Sequence, residues 1–261
     1  MYPAFNRVGI VGTGAMGKGI AQLAAQAGSE VVIFDTKAGL AEAARNDLEA
    51  QWAKLAAKGK LSTEAAEDCV KRVAAVSHLQ ELAACDLVVE AVVEDLGIKR
   101  ALIADLISLT PDTTILASNT SSLSITEVAA GLGRESRTVG FHFFNPAPVM
   151  PVVEIIPGLK TDPEVVRLLV LYAGQFGHTP VVARDTPGFI VNHAGRGYGT
   201  EALRILSERI ADHATIDTIL KDQLGFRLGP FELFDLTGLD VSHPVMESVY
   251  NQYFQEPRYR P

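Results

Sequence analysis

The stretch "RVGIVGTGAMGKGIAQLAAQAGSEVVIFD", Arg7 to Asp35, constrains the fold more than any other part of the chain. A short β-branched run reaches Gly12, Gly14 and Gly17, an alanine-rich segment follows, and a second β-branched run spans Glu30 to Phe34. This is the pattern of a βαβ unit. The glycines permit a tight turn and let backbone N–H groups approach a pyrophosphate at the helix N-terminus, where the helix dipole favours negative charge. G-x-G-x-x-G alone is weak evidence; here it lies between strand and helix, and Asp35 ends the second strand about 20 residues on, where a carboxylate can bind a ribose 2′-OH. A carboxylate there also repels a 2′-phosphate, so the expected cofactor is NAD rather than NADP, with Lys37 as a counter-signal.

Beyond Asp35, helical spacing runs from Ala38 to about Lys60. Lys54 and Lys58 lie one turn apart, and Lys60 follows Gly59. On spacing alone these lysines read as a solvated face. "DLVVEAVVED" predicts a strand from Asp86 to Val89, and "TTILASNTSSLSIT" another from Thr113 to Ala117 followed by a polar turn. Both turns belong at the carboxyl edge of the sheet, where ligands of doubly wound folds bind.

"RTVGFHFFNPAPVMPVVEII" holds two further strands. Pro146, Pro148 and Pro151 exclude a helix or a central strand between them. A link of about eight residues is too short for a parallel crossover. The two strands are therefore expected to be antiparallel neighbours, able to bring His142 beside Glu154. A buried imidazole and a buried carboxylate are each costly alone; convergent beside a nucleotide fold, they read as a catalytic base and its orienting carboxylate. Thr161 to Gln175 reads as a helix and "HTPVVA" as a last strand. In "RDTPGFIVN", Thr186 reads as an N-cap with Pro187 at the first helical position, and the remaining segments look helical. The expected architecture is α/β: a Rossmann-like doubly wound sheet with an antiparallel extension over residues 1–185, then a smaller all-helical domain over 186–261.

Several function classes are disfavoured. The chain of 261 residues has a formal net charge of −8, which argues against a nucleic-acid partner. No run approaches the roughly 18 apolar residues of a membrane span, and "MYPAFNR" lacks the features of a secretory or transit signal, so a cytoplasmic protein is expected. Cys69 and Cys85 form no C-x-x-C, and His78, His178, His193, His213 and His243 show no metal-ligand spacing, so no metal site is expected.

The motifs "GIVGTGAMGKGIA", "VVEAVVED", "ASNTSSLSIT", "GFHFFNPAPVMPVVEII", "DTPGFIVN" and "LGPFELFDLTGLDV", in that order, resemble the 3-hydroxyacyl-CoA dehydrogenases from Arg7 to about Tyr250. The bacterial 3-hydroxybutyryl-CoA and phenylacetate-pathway members share that pattern. The resemblance implies an NAD-dependent enzyme of fatty acid metabolism and β-oxidation chemistry, acting on an acyl-CoA and forming a homodimer through its C-terminal domain. It makes His142 the general base and Glu154 its partner, and it sets Ser121 and Asn192 around the reacting oxygens and the histidine. Glu94, Lys99 and Asn119 would lie near the cofactor's ribose and nicotinamide, and Lys54 and Lys58 near the CoA moiety. Two departures stand out. "HAGRGYG" carries Gly195, Gly197 and Gly199, at some of which the family usually has bulkier residues, and each interior glycine costs about 1 kcal/mol of helix relative to alanine, so an irregular or closely packed helix is expected. The chain also ends at "EPRYRP", before the basic, glycine-rich tail of the family, so the helical domain reads as truncated. Two alternatives remain open: a dehydrogenase of free β-hydroxy acids gripping a carboxylate with Arg196, and a non-catalytic NAD-binding protein. The related 3-hydroxyisobutyrate enzymes carry a catalytic lysine four residues before an asparagine, where this chain has Gly188.

Overall fold

In the computed structural model, which describes residues 4–261, the βαβ unit forms from β1 (Arg7–Val11), α1 (Ala15–Gln26) and β2 (Glu30–Phe34). Residues 1–3 of the N-terminal stretch read for targeting signals lie outside the described residues. The chain divides into two units that meet between Asp185 and Thr186. After β2 the first unit continues through α2 (Leu40–Ala57), α3 (Thr63–Arg72), β3 (Val73–Val76), β4 (Leu87–Glu90), α4 (Leu96–Leu109) and β5 (Ile115–Ser118). It then runs through α5 (Ile125–Ala129), β6 (Thr138–Phe143), β7 (Val152–Pro157), α6 (Pro163–Gln175) and β8 (Thr179–Val182).

These eight strands form one sheet in the order β3-β2-β1-β4-β5-β6-β7-β8. All neighbours are parallel except β6 and β7. The strand order reverses between β1 and β4, and in such a sheet the crevice at that reversal receives the ligand. A parallel sheet is covered on both faces, which is why its strands are apolar throughout rather than alternating. In β2, Val31 and Ile33 join one core with Ile20, Leu23, Trp52 and Tyr172, while Val32 and Phe34 join the other with Ile103 and Leu106. Burial of each such side chain contributes about 1.5–3 kcal/mol.

Three local readings differ from the structure. The helix expected to Lys60 ends at Ala57; Gly59, at φ 67°, turns the chain, and Ser62 accepts a hydrogen bond from Ala65 N at 3.1 Å to start α3. α3 and the edge strand β3 are elements that the sequence reading passed over. The strands expected at Asp86–Val89 and Thr113–Ala117 sit further along, at Leu87–Glu90 and Ile115–Ser118. Finally, Thr186 is not an N-cap. Gly188 and Phe189 both have left-handed backbone, at φ 76° and 51°, which no helix can include, so the first helical residue is Val191.

The second unit is helical: α7 (Val191–Ala194), α8 (Arg196–Ser207), α9 (His213–Leu224), α10 (Pro230–Thr237) and α11 (Leu239–Gln252). The expected irregularity falls at Gly195, which separates α7 from α8. Close packing falls at Gly199, where a Cβ would lie 2.7 Å from the Phe234 ring, while Gly197 faces open space. Asp217 accepts from Phe231 N and Glu232 N, both at 3.0 Å, and so caps α10 from α9. Among the described residues, no helix is long and apolar enough to cross a membrane and no group of His, Cys, Asp and Glu could hold a metal ion.

Candidate active site

At the carboxyl end of β1 the backbone turns through Gly12 at φ 92°, and a Cβ there would lie 2.7 Å from the Ala91 carbonyl oxygen. A Cβ on Gly17 would lie 1.8 Å from the Gly12 carbonyl oxygen, so only glycine lets the first turn of α1 press against the strand. Gly14 differs: a Cβ would meet nothing within 4 Å. Among the described residues no side chain caps α1, whose N-cap is Gly14, and an uncapped helix N-terminus after a glycine turn suits an anion such as a pyrophosphate. Asp35 stands just past β2. Its Oδ2 accepts from Thr13 N and Thr13 Oγ1, both at 2.9 Å, and its Oδ1 from Lys37 N at 3.0 Å. Burial pushes the Asp35 pKa up, but the bonds from Thr13 and Lys37 outweigh it and hold the carboxyl below its ordinary value. An ionised acceptor therefore sits where the ribose of a dinucleotide lies in this fold.

Further along the same edge, Glu90 ends β4 and has no exposed surface, and Lys99 from α4 is equally enclosed. Lys99 Nζ donates to both Glu90 oxygens, at 3.0 and 2.9 Å, and lies 3.4 Å from Glu94 Oε2. Glu90 also accepts from Ser118 Oγ, at the end of β5, and from Val92 N at 3.1 Å. The other oxygen of Glu94 collects five bonds from the turn after β5. They come from Thr120 Oγ1 at 2.6 Å, Ser121 N at 2.9 Å, Ser121 Oγ at 3.2 Å, and Ser122 N and Oγ at 3.1 Å. Burial raises the Glu94 pKa, but the Lys99 charge and the bonds from Thr120, Ser121 and Ser122 together hold it below the usual carboxylate value. The polar turn is thus gathered on one oxygen of Glu94, whose other oxygen faces Lys99. Asn119 ties it sideways: its N–H donates to the Glu90 carbonyl at 2.9 Å, and its Oδ1 accepts from Phe143 N at 2.9 Å.

β6 and β7 place His142 directly opposite Glu154 in antiparallel register. His142 Nδ1 lies 2.7 Å from Glu154 Oε2 with both side chains buried, and the imidazole tilts against the Phe144 ring at 4.6 Å between centroids. A carboxylate can only accept, so Nδ1 carries the proton in this contact and Nε2 is the basic nitrogen of the neutral ring.

Of the residues singled out in the sequence, the first unit brings Glu94, Lys99, Asn119 and Ser121 into one network and His142 and Glu154 into one pair. Lys99 has no exposed side-chain surface and reaches the sheet edge through Glu94. Lys54 lies in the last turn of α2 and Lys58 caps it, both exposed. Asn192 lies in α7 of the second unit. Three participants escaped the sequence reading. Glu90 carries the same signal as Glu154, a carboxylate inside an apolar strand, and was legible on that ground. Ser118 had no such mark. Asp185 accepts from Ser124 Oγ at 2.9 Å, Ile125 N at 2.8 Å and Thr126 N at 2.7 Å, across some 60 residues that local patterns do not bridge.

Comparison with known proteins matches both units. Residues 7–186 match the 3-hydroxyacyl-CoA dehydrogenase NAD binding domain and residues 188–261 the C-terminal domain of the same family. The 3-hydroxyadipyl-CoA dehydrogenase of Escherichia coli is 44% identical over 97% of this chain and 54% of the relative. A probable 3-hydroxybutyryl-CoA dehydrogenase of Deinococcus radiodurans is 40% identical over 98% of this chain and 91% of the relative. The crystal structure of a 3-hydroxybutyryl-CoA dehydrogenase from Escherichia coli K12 superposes with a TM-score of 0.96 at 44% identity, covering 98% of this chain and 54% of that chain. That of (S)-3-hydroxybutyryl-CoA dehydrogenase from Ralstonia eutropha gives 0.94 at 35% identity, covering 98% and 90%. The chain spans about half the length of the Escherichia coli proteins, at 54%, and about nine-tenths of the Deinococcus and Ralstonia ones, at 91% and 90%. With a glycine-turned nucleotide cradle at the switch point and both units matched in order, the chain belongs to the 3-hydroxyacyl-CoA dehydrogenase family, oxidoreductases whose cofactor is NAD.

Proposed function

We propose that this chain interconverts (S)-3-hydroxyacyl-CoA and 3-oxoacyl-CoA, with His142 as general base in oxidation and general acid in reduction. The observation that carries this reading is the buried 2.7 Å contact between His142 Nδ1 and Glu154 Oε2. Glu154 holds the ring in one tautomer, with Nε2 as its basic nitrogen. In oxidation Nε2 takes the proton of the 3-hydroxyl, and the Glu154 charge stabilises the imidazolium that forms. Gly12, Gly14 and Gly17 would hold the pyrophosphate and Asp35 the adenine ribose; NAD, when bound, accepts the hydride from carbon 3. Glu94 and Asn119, with Lys99 behind them, line the nicotinamide side. Ser121 and Asn192 serve the reacting oxygens, and Lys54 and Lys58 the CoA phosphates. The second unit is the dimer surface, a reading supported by Leu236 and Leu239, 72% and 66% exposed in the single chain, and removed by a monomeric mass in light scattering.

The test is oxidation of NADH with acetoacetyl-CoA set beside free acetoacetate. Turnover of the thioester with little or none of the free acid is expected, with Lys54→Ala raising KM for the thioester and hardly changing kcat. Equal turnover of free acetoacetate would move the chain to the free-acid dehydrogenases, and NADH binding without turnover of either would leave it a binding protein.

A further inference from the structure

The link between β6 and β7, residues 144–151, is fastened at its end and in its middle. Its last carbonyl, on Pro151, accepts from Thr179 N at 2.6 Å, where β8 begins. Its middle is held by His178. α6 ends at Gln175, Gly177 turns the chain at φ 74°, and His178 N donates back to the Ala173 carbonyl at 3.1 Å. That turn delivers the buried His178 imidazole between the rings of Phe143 and Phe176, at 5.9 and 6.0 Å between centroids. Its Nε2 lies 3.0 Å from the Ala147 carbonyl oxygen, and its Nδ1 lies 3.4 Å from that of Phe176. A carbonyl only accepts, so Nε2 carries a proton in the shorter contact. Ala147 also meets α1: a Cβ on Gly19 would lie 3.0 Å from Ala147 Cβ and 3.1 Å from Pro148 Cδ. The proposed chemistry uses neither His178 nor Gly19.

We propose that His178 is a positioning residue for His142, acting through the link it fastens. The inference rests on the function proposed above, in which His142 moves the proton. Phe144 opens the link two residues past His142, the spacing at which side chains of a strand share a face, and the two rings meet at 4.6 Å between centroids. Glu154 fixes the imidazole at Nδ1, and the Phe144 ring limits its tilt about that contact. Phe144 is only half-buried, so its place depends on the backbone that carries it. That backbone is anchored three residues on, at Ala147, which is 1% exposed. Loss of the His178 donor leaves a buried carbonyl short of a partner, and a shift of the link is how it regains one.

Three variants test this. His178→Phe keeps a ring and removes the donor, and His178→Gln keeps a donor near Nε2. Gly19→Ala presses on Ala147 from α1, in a helix that itself favours alanine by about 1 kcal/mol. Each is assayed for NADH oxidation with acetoacetyl-CoA. The Nδ1–H proton of His142 is followed by NMR in substrate-free protein with isotope-labelled histidine, its signal identified by its absence from His142→Gln. His178→Phe is expected to lower kcat by on the order of 10- to 100-fold, the cost of misplacing a reacting group by up to about 1 Å. KM for NADH should hardly change, and the His142 signal should be displaced. His178→Gln should recover most of both effects. Gly19→Ala should lower kcat and displace the signal in the same way, and it carries the test if His178→Phe does not fold. Wild-type kcat or an unmoved signal in the variant that carries the test, or a glutamine variant no better than a folded phenylalanine one, overturns this inference and leaves the dehydrogenase reading standing. No turnover of acetoacetyl-CoA by the wild type overturns that reading and the inference with it.

Discussion

Replacing Lys99 with methionine keeps most of the side-chain volume and removes the ammonium. Glu90 then keeps the bonds from Ser118 Oγ and Val92 N but loses two contacts at 2.9 and 3.0 Å, in a place with no solvent access. Breaking a buried pair by removing one partner costs about 3–5 kcal/mol, most of it the uncompensated charge. In a domain of this size each kcal/mol lowers Tm by about 2–4 °C, so the NAD-binding unit should melt roughly 6–20 °C lower. The diagnostic comparison is the double variant Glu90→Gln with Lys99→Met, which removes the stranded charge while leaving an acceptor for Ser118. It should recover more than half of the loss, about 2–3 kcal/mol. Calorimetry of the full chain, with circular dichroism to confirm the fold, reads both numbers. A Lys99→Met variant within 1 kcal/mol of wild type, or a double variant no better than the single, would refute the claim that Lys99 and Glu90 depend on each other as a buried ion pair.

His142→Gln should lower kcat by on the order of 10² to 10⁴ with NAD affinity nearly unchanged by calorimetric titration, whereas Glu154→Gln should lower kcat and shift the pH–rate profile; full turnover with an unmoved profile in Glu154→Gln makes the pair merely structural. Because Asp35 accepts a hydroxyl but repels a phosphate, NAD should raise Tm well above NADP at matched concentration, and equal stabilisation contradicts the role given to Asp35. Glu94 is held below its ordinary pKa of 4.5, so its ionised form contributes stability above about pH 4.5 that is lost as the pH falls through its lowered value. Glu94→Gln should therefore melt lower at pH 7 and show a flatter decline below pH 4.5, and parallel curves for the two proteins would count against it.

What local patterning can see, it saw: strand–glycine turn–helix over Arg7 to Phe34, the antiparallel turn around three prolines, and the helical second unit. His142 and Glu154 were legible because costly groups in apolar strands announce a partner, and a short link limits where that partner can be. Glu90 carried the same mark in "LVVE" and needed Lys99, nine residues on, to make sense of it. β3 escaped because "VAAV" is a short edge strand with alternation too weak to register. The start of α7 was misread because Thr186–Pro187 is a good helix opening in isolation, and only the left-handed backbone at Gly188 and Phe189 overrules it. Asp185 lay beyond reach for a different reason: its three donors are 59 to 61 residues away, and chain distance of that order leaves no periodic trace.

The parallel strands share a ledge: Val11 pairs with Glu90, Glu90 with Ser118, and Ser118 with Gly140, in one row across the sheet. β6 alone climbs past it. Beyond Gly140 its residues pair only with β7 on one side, and on the other the Asn119 amide stands in for a missing strand at Phe143. At about 3.3 Å per residue, the imidazole is carried roughly 6–7 Å above the ledge on which the nucleotide-side carboxylates sit. Adding or removing one residue in this overhang would change that elevation by about 3 Å and would also turn His142 to the opposite face of the sheet. The elevation can therefore change only in two-residue strides, too coarse for gradual adjustment. Whatever varies among chains built this way must vary in the side chains that meet the substrate, because the distance from ledge to base is locked by the pleat.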